Sequence, residues 1–316
     1  MTTTTEHEFA QHVNRHKREL HVHCYRMLGS FEEAEDLVQE TFLRAWRHRE
    51  QFEGGPGFRA WLYRIATNAC LDAIRRKGRR AEEVSSFAEI PWLQPYPDRL
   101  LDEVAPSDEE PDAVVVARET IELAFLAIIQ LLPARQRAVL ILRDVLGWSA
   151  KETAELLETS VASANSALQR ARAGLEANLP ANRAESTSRA DSSEQERALL
   201  ARFMDAHERA DATGIADMLR EDVRVTMPPL PEIYDGIAAL RPLWEHAFDE
   251  SVFGEWRLVS TQVNRQPAAA SYLRRQGENE FRAFKLDVLR VEGGRIAEIT
   301  TFGAQPFERL GLALTL

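Results

Sequence analysis

Residues 58–80 read FRAWLYRIATNACLDAIRRKGRR. At helical spacing Trp61, Arg64, Asn68, Asp72 and Arg75 fall at i, i+3, i+7, i+11 and i+14, along one side. An indole stacks on an unpaired base, a carboxamide hydrogen-bonds a base edge, and a guanidinium pairs with phosphate. The chemistry this set suits is therefore the reading of an opened nucleic acid strand. A core tryptophan flanked by arginines whose stems cover apolar surface would give the same stripe. Phe58, Leu62, Ile65 and Ala69 form a second, apolar stripe that seats the helix on a core.

The element before it reads DLVQETFLRAW, and the turn Gly54-Gly55-Pro56-Gly57 separates the two. Val38, Phe42 and Ala45 face a core at i, i+4 and i+7, while Asp36, Gln39, Glu40 and Leu43 lie on the other side. An acidic face with one leucine reads either as solvated surface or as a docking face for a basic partner. Ser30 and Glu33 form an S-x-x-E capping box at its start. Upstream, residues 6–28 read as one helix with Phe9, Val13, Leu20 and Tyr25 inward. His7, His12, His16, His21 and His23 crowd this helix. His12 and His16, at i, i+4, would chelate a metal only with further ligands, and none stands at a convincing spacing. A solvated helix without metal or cofactor is the expectation.

The chain has 316 residues and a net charge of −11, which points to two or three domains and away from a generic nucleic-acid coat. The placement of charge says more than its total. Arg59, Arg64, Arg75, Arg76, Lys77, Arg79 and Arg80 make residues 59–80 basic, and residues 82–112 are strongly acidic. Cys24 and Cys70 lack a C-x-x-C spacing and read as buried thiols. No apolar run approaches the roughly 20 residues that span a bilayer, and MTTTTEHEF is no secretory signal, so a cytoplasmic location is expected.

Residues 81–112 read as an acidic, Pro-rich linker. Trp92, Leu93, Tyr96, Leu100 and Leu101 are too many for an inert spacer and imply a segment that docks, in this chain or on a partner. A helical unit follows over 113–180. A helix covers 114–132, and Pro133 begins another that ends at Gly147. Ser149 and Glu152 then cap a short helix, and a turn at Glu158-Thr159-Ser160 leads into a long one. Val161, Ala164, Leu168, Ala171 and Leu175 form its apolar stripe; Ser163, Asn165, Ser166, Gln169 and Arg170 point outward, as a helix entering a major groove requires. A plain helical hairpin is the alternative. Residues 181–196 form a polar joint. From 197 onward two helices precede strands at 223–227, 255–263, 268–275, 281–291 and 295–302, with a Gly293-Gly294 hairpin. A helix over 236–249 packs between the first two strands. This reads as an α+β cone on a curved antiparallel sheet.

DLVQETFLRAW followed by FRAWLYRIATNACLDAIRR resembles region 2 of bacterial RNA polymerase sigma factors of the extracytoplasmic-function group. LPARQRAVLILRDVLGWSAKETAELLETSVASANSALQRARAGL resembles region 4 of the same group. The C-terminal part resembles a SnoaL-like domain of the NTF2-like superfamily. The resemblance implies two all-α sigma domains, region 2 over 1–80 and region 4 over 113–180, and a SnoaL-like cone over 197–316. It implies a factor that binds core RNA polymerase, recognises −35 and −10 promoter elements and melts promoter DNA.

Residue by residue, Asp36, Leu37, Gln39, Glu40 and Phe42 match the helix that docks on polymerase. Asn68 matches the amide that reads a flipped-out −10 base. Trp61, Tyr63 and Arg64 match residues along the single-stranded path, with Arg75 and Arg76 beside them. The loop over 48–57 matches the base pocket. For the −35 element the counterparts are Ser163, Asn165, Ser166, Gln169, Arg170 and Arg172. Asn165 and Ala167 stand where the family often carries basic residues, so fewer phosphate contacts and a weaker salt dependence are expected. The acidic linker matches the connector that threads toward the active-centre channel, where Asp108, Glu109 and Glu110 would mimic nucleic acid.

Two rival functions remain. One is a ligand-responsive helix-turn-helix regulator that never joins polymerase; the region 2 match argues against it. The other is an isomerase or cyclase in the cone, with His207, Asp211 and Asp222 as candidates by type, though these read as surface residues. The expectation is no catalysis. The cone is expected to regulate, through contacts within the chain or a small apolar ligand.

Overall fold

The computed structural model describes residues 6–52, 57–78, 90–102, 121–178, 192–249 and 252–316. The chain divides into two compact units, residues 1–87 with 99–179, and residues 88–98 with 180–316. Of the linker's docking residues, Trp92, Leu93 and Tyr96 therefore belong with the C-terminal part, and Leu100 and Leu101 with the first unit. Asp108, Glu109 and Glu110 lie outside the described residues, as do residues 114–120 of the long helix expected before Pro133.

In the first unit the expected helix over 6–28 is two helices, α1 (Glu6–Arg15) and α2 (Lys17–Leu28). Phe9, Val13, Leu20 and Tyr25 are buried as their spacing implies. The expectation of a solvated helix fails at its C-terminal half, where His21 and His23 are buried too. His21 lies against the Phe31 ring, and His23 Nε2 is 2.8 Å from Thr67 Oγ1. Gly29 ends α2 at a φ of 72°, in the left-handed region that favours glycine. Ser30 then accepts from the Glu33 N–H at 3.3 Å and starts α3 (Phe31–Arg47). Helix α4 (Phe58–Arg76) packs on both α2 and α3. Cys24 and Cys70 are buried free thiols, and burial pushes the Cys70 thiol well above its usual range.

A short helix, α5 (Asp98–Asp102), precedes α6 (Leu123–Gln130) and α7 (Ala134–Leu140). Helix α7 runs on as one wide turn, Ile141–Val145, closed by the Leu146 N–H on Ile141 O at 2.9 Å. The Ser149–Glu152 capping box is complete: Ser149 N–H donates to Glu152 Oε2 at 2.8 Å and Glu152 N–H to Ser149 Oγ at 3.2 Å. It starts α8 (Ala150–Leu156), and α9 (Val161–Asn178) follows the turn. Ala164, Leu168 and Ala171 are buried, but Val161 is 43% exposed. As the first residue of α9 it lacks a preceding turn to cover it.

The second unit opens with α10 (Ser192–Glu208) and α11 (Ala212–Met218). Six strands follow: β1 (Leu219–Met227), β2 (Leu230–Asp235), β3 (Glu255–Val263), β4 (Gln266–Arg274), β5 (Arg282–Glu292) and β6 (Arg295–Gly303). Helix α12 (Ile237–Ala247) lies between β2 and β3 in sequence, and α13 (Phe307–Leu310) ends the fold. The strand order is β2-β1-β6-β5-β4-β3, with β1 parallel to β6 and the other neighbours antiparallel. Both β2 and the parallel pair depart from the expected antiparallel sheet. The sequence LPEIYD carries a proline and is mostly exposed, so this edge strand has none of the alternation that marks a strand.

The β3–β4 turn holds the linker. Asn264 and Arg265 both take positive φ, 54° and 60°. Buried Asn264 accepts from the Tyr96 N–H at 2.7 Å through Oδ1 and donates its own N–H to Tyr96 O at 3.0 Å. Arg265 N–H donates to Asp98 Oδ1 at 2.8 Å, and Pro97 bridges to Val263.

Burial, reinforced by nearby Arg26 and Arg59, lowers the His23 pKa from 6.5 to about 3. The unfolded chain therefore binds a proton that the folded chain refuses between these values. The stability held above pH 6.5 is lost as pH falls toward 3. Between pH 7 and pH 5 this one group should remove about 2 kcal/mol from the first unit. His23→Phe should flatten the pH dependence of that unit's urea midpoint over the same range; an unchanged slope would contradict the assignment.

Candidate nucleic-acid and polymerase interface

Helix α4 carries two kinds of side chain where its sequence implied one. Arg64, Arg75 and Arg76 are exposed, and Asn68 is half-buried. Trp61 is also half-buried, with its ring stacked on Phe52 at 5.3 Å and 27° and tilted against Phe58 at 5.7 Å and 43°. Asp72 accepts from Arg75 at 2.8 Å and has Arg44 at 3.8 Å, so the one acid on the stripe is neutralised locally.

Tyr63 is different. It is 1% exposed, with its ring 5.0 Å from His23 and 5.4 Å from Trp148. Its hydroxyl donates to Glu19 Oε2 at 3.2 Å, and Arg59 Nε donates to the same oxygen at 2.7 Å. Burial and the Glu19 charge push the phenol pKa up. In this conformation Tyr63 is a packing residue, since a ring enclosed by His23 and Trp148 offers no face to a base.

The acidic helix α3 exposes Asp36 and Gln39 and leaves Glu40 and Phe42 half-buried. Glu40 is clasped by Arg44, whose Nε lies 3.0 Å away. Leu37 is in the core at 6% exposure, whereas Leu43 is 58% exposed. The apolar member of this face is therefore Leu43, one helical turn from Gln39.

On α9, Ser163, Asn165, Ser166, Gln169, Arg170 and Arg172 are all exposed. Ser160 Oγ accepts the Ser163 N–H at 3.1 Å and caps the helix. Arg172 is held by Asp144 through two bonds, 2.9 and 2.7 Å, which leaves Arg170 as the more accessible cation of the pair.

Sequence reasoning missed how the two helical regions are joined. Arg137 of α7 is 3% exposed. Its guanidinium donates to Met27 O and Gln130 Oε1 at 2.5 Å, to Gln130 O at 2.6 Å and to Leu132 O at 3.1 Å. Gln130 Nε2 donates to Arg26 O at 3.2 Å. A Cβ on Gly29 would come within 3.3 Å of the Gln130 side chain, so the glycine also admits this approach. Farther along α4, Arg64 pairs with Glu158 of the turn before α9. The one signal in sequence was Arg137 at the head of the apolar run AVLIL.

Three family models match the chain in order: Sigma-70 region 2 over residues 12–80, Sigma-70 region 4 over 122–175 and the SnoaL-like domain over 200–299. The ECF RNA polymerase sigma factor SigG of Mycobacterium tuberculosis is 39% identical over 308 residues, covering 93% of this chain and 81% of that protein. The chain belongs to the extracytoplasmic-function sigma factors. SigW of Bacillus subtilis is 34% identical over 171 residues, covering 54% of this chain and 88% of its own length. The crystal structure of the M. tuberculosis sigma factor SigJ shares the fold, with a TM-score of 0.63, 21% identity and coverage of 96% and 99% of the two chains. This sigma factor thus carries the two helical sigma regions and an α+β SnoaL-like domain in one chain, and it acts in transcription initiation with core RNA polymerase and promoter DNA. No helix among its described residues is long and apolar enough to cross a membrane.

The Arg64–Glu158 and Arg137 contacts between the regions differ in strength. Arg64–Glu158 is solvent-exposed, with 49% and 67% of its side chains accessible, and such pairs contribute about 0–1 kcal/mol. Arg137 and the residues whose carbonyls it serves, Met27, Gln130 and Leu132, are all buried. Arg137→Met should therefore lower the stability of the first unit by about 2–4 kcal/mol, through carbonyls left without donors. Glu158→Ala should change it by no more than about 1 kcal/mol. Urea unfolding of both variants checks the ranking; equal losses would contradict it.

Proposed function

We propose that this sigma factor reads the −10 element through α4 and docks on polymerase through α3, and that in the free chain region 4 covers part of the reading face. The observation that carries this reading is the pairing of Arg64 and Tyr63 on α4 with Glu158 and Trp148 of region 4. Asn68 is the base-reading amide, Trp61 the stacking ring, and Arg64, Arg75 and Arg76 the phosphate contacts. Tyr63 joins that path only after Trp148 leaves it. Asp36, Gln39, Glu40, Phe42 and the exposed Leu43 form the polymerase-facing surface, with Leu37 supporting it from the core. Ser163, Asn165, Ser166, Gln169 and Arg170 read the −35 element, and Arg172 contributes once Asp144 releases it. The protein works in the cytoplasm, where polymerase and promoter are.

The SnoaL-like domain acts as a built-in regulator and not as an enzyme. What supports this is its grip on the linker at Asn264, since that segment is the covalent tether between the two sigma regions. A held tether has less freedom to let region 2 and region 4 separate. The catalytic candidates do not assemble. Asp211 caps α11 by accepting from the Gly214 N–H at 2.8 Å, and exposed Asp222 is paired with Arg220 at 2.8 Å. His207 is buried elsewhere, contrary to its expected surface position.

In vitro transcription with core polymerase tests the reading. Asn68→Ala should lower open-complex formation about tenfold or more, the equivalent of one lost base contact. Residues 1–179 should initiate from the same promoter. Asn264→Ala, which frees the tether, should shift activity in the same direction as that truncation. Failure of the full chain to bind core polymerase would overturn the assignment. Opposite shifts for the truncation and Asn264→Ala would overturn the tether mechanism alone.

A further inference from the structure

The SnoaL-like domain contains a cavity of about 450 Å³, inside the roughly 300–1,000 Å³ range of small-molecule sites. Its wall is mainly apolar and strongly aromatic. Phe253 stacks on Trp256 at 5.9 Å and 26°, and Phe284 meets both rings edge-on at 5.8 and 5.3 Å. Trp244 lines the cavity as well. A domain that needed only to pack would fill such a space, because interiors are as dense as organic crystals.

Polar groups interrupt this wall. Lys285 and Asp287 stand at i, i+2 on one face of β5, and Thr301 is the register partner of Asp287 on β6. Asp287 is 1% exposed. Its Oδ2 lies 2.7 Å from Lys285 Nζ, and its Oδ1 accepts from Thr301 Oγ1 at 2.7 Å. An ammonium has three N–H donors, so Lys285 keeps donors beyond the one given to Asp287. The Nζ also sits 5.7 Å from the centre of the Trp256 ring. His207 lines the same cavity at 4% exposure, boxed by Phe248 and Trp256, and its Nδ1 is buried with no hydrogen-bond partner. A lysine–aspartate pair and an orphaned imidazole nitrogen are costly inside an apolar wall unless something else uses them.

We infer that this cavity binds a flat, largely aromatic, uncharged molecule bearing one hydroxyl or carbonyl, which accepts a hydrogen bond from Lys285 and meets His207 at the same polar end. The ligand is uncharged because the polar set is balanced. One ammonium faces one carboxylate, and burial, with the Lys285 charge, lowers the His207 pKa to about 3, so the imidazole is neutral. A ligand carboxylate would meet Asp287 with no second cation to offset it, and a phosphate would fare worse. The same facts favour binding over acid–base catalysis. Both oxygens of Asp287 are already engaged, and an imidazole of that pKa is too weakly basic to take a proton near neutrality.

Titration calorimetry on the full chain at pH 7, without polymerase, tests this with three probes: 2-naphthol, 2-methylnaphthalene and 2-naphthoate. 2-Naphthol should bind saturably at one equivalent, and the other two at least tenfold more weakly. Lys285→Met should reduce 2-naphthol to the affinity of 2-methylnaphthalene. Because that variant leaves Asp287 unpaired, Leu243→Trp provides the second arm. It adds bulk to the cavity wall from α12 while keeping both members of the ion pair, and it should abolish binding while the melting transition persists. Absence of saturable binding would overturn the inference. So would naphthoate binding tightest, 2-naphthol binding unchanged in Lys285→Met, or full binding in a folded Leu243→Trp. Since no transcription is read, the outcome is independent of the promoter-reading assignment.

Discussion

A single buried guanidinium joins the two sigma regions. Arg137 donates to carbonyls at the end of α2 and at the end of α6, and Gln130 returns a bond to Arg26. These are helix C-terminal carbonyls, which lack partners inside their own helices and carry partial negative charge. One delocalised cation with five N–H donors satisfies several of them at once, which lysine could not do. Gly29 belongs to the same device, because its left-handed φ ends α2 and its missing side chain leaves room for Gln130. Remove the guanidinium and these buried carbonyls lose the donor that ties one helical region to the other.

That anchor has a functional consequence. With α7 fixed on α2, the turn before α9 comes to lie on α4, and Trp148 and Glu158 reach Tyr63 and Arg64. The exposed ion pair adds little by itself, but the Tyr63–Trp148 packing encloses the Tyr63 ring. On the reading proposed above, the free chain and promoter DNA would compete for the same side chains. Opening would expose Arg137 and its carbonyls to water, which would rehydrate them and offset part of the loss. Polymerase, by gripping α3 and accepting region 4 elsewhere, would supply the difference.

Much of this was legible in the sequence, and the exceptions share a cause. Periodicity located α3, α4, α9 and β3, and the Ser149–Glu152 spacing gave a complete capping box, because these features depend on residues a few positions apart. Tyr63 entered only through the resemblance, and its burial was not legible because it depends on Glu19, His23 and Trp148, which are remote in sequence. His207 was misplaced for the same reason, since a helix face does not announce which neighbour covers it. The edge strand β2 has no alternation to find, and the parallel β1–β6 pairing joins strands separated by most of the C-terminal domain. The linker's apolar residues announced a docking segment, but only the fold supplied Asn264 as the dock.

The measurement that bears most directly on this account is the distance between α4 and α9, read by electron–electron spin resonance from labels at exposed Arg75 and Arg170. In the free chain it should show one short, narrow distribution, and on addition of core polymerase that distribution should give way to a longer one. A distance that is unchanged by polymerase, or already long and broad in the free chain, would contradict a covered reading face.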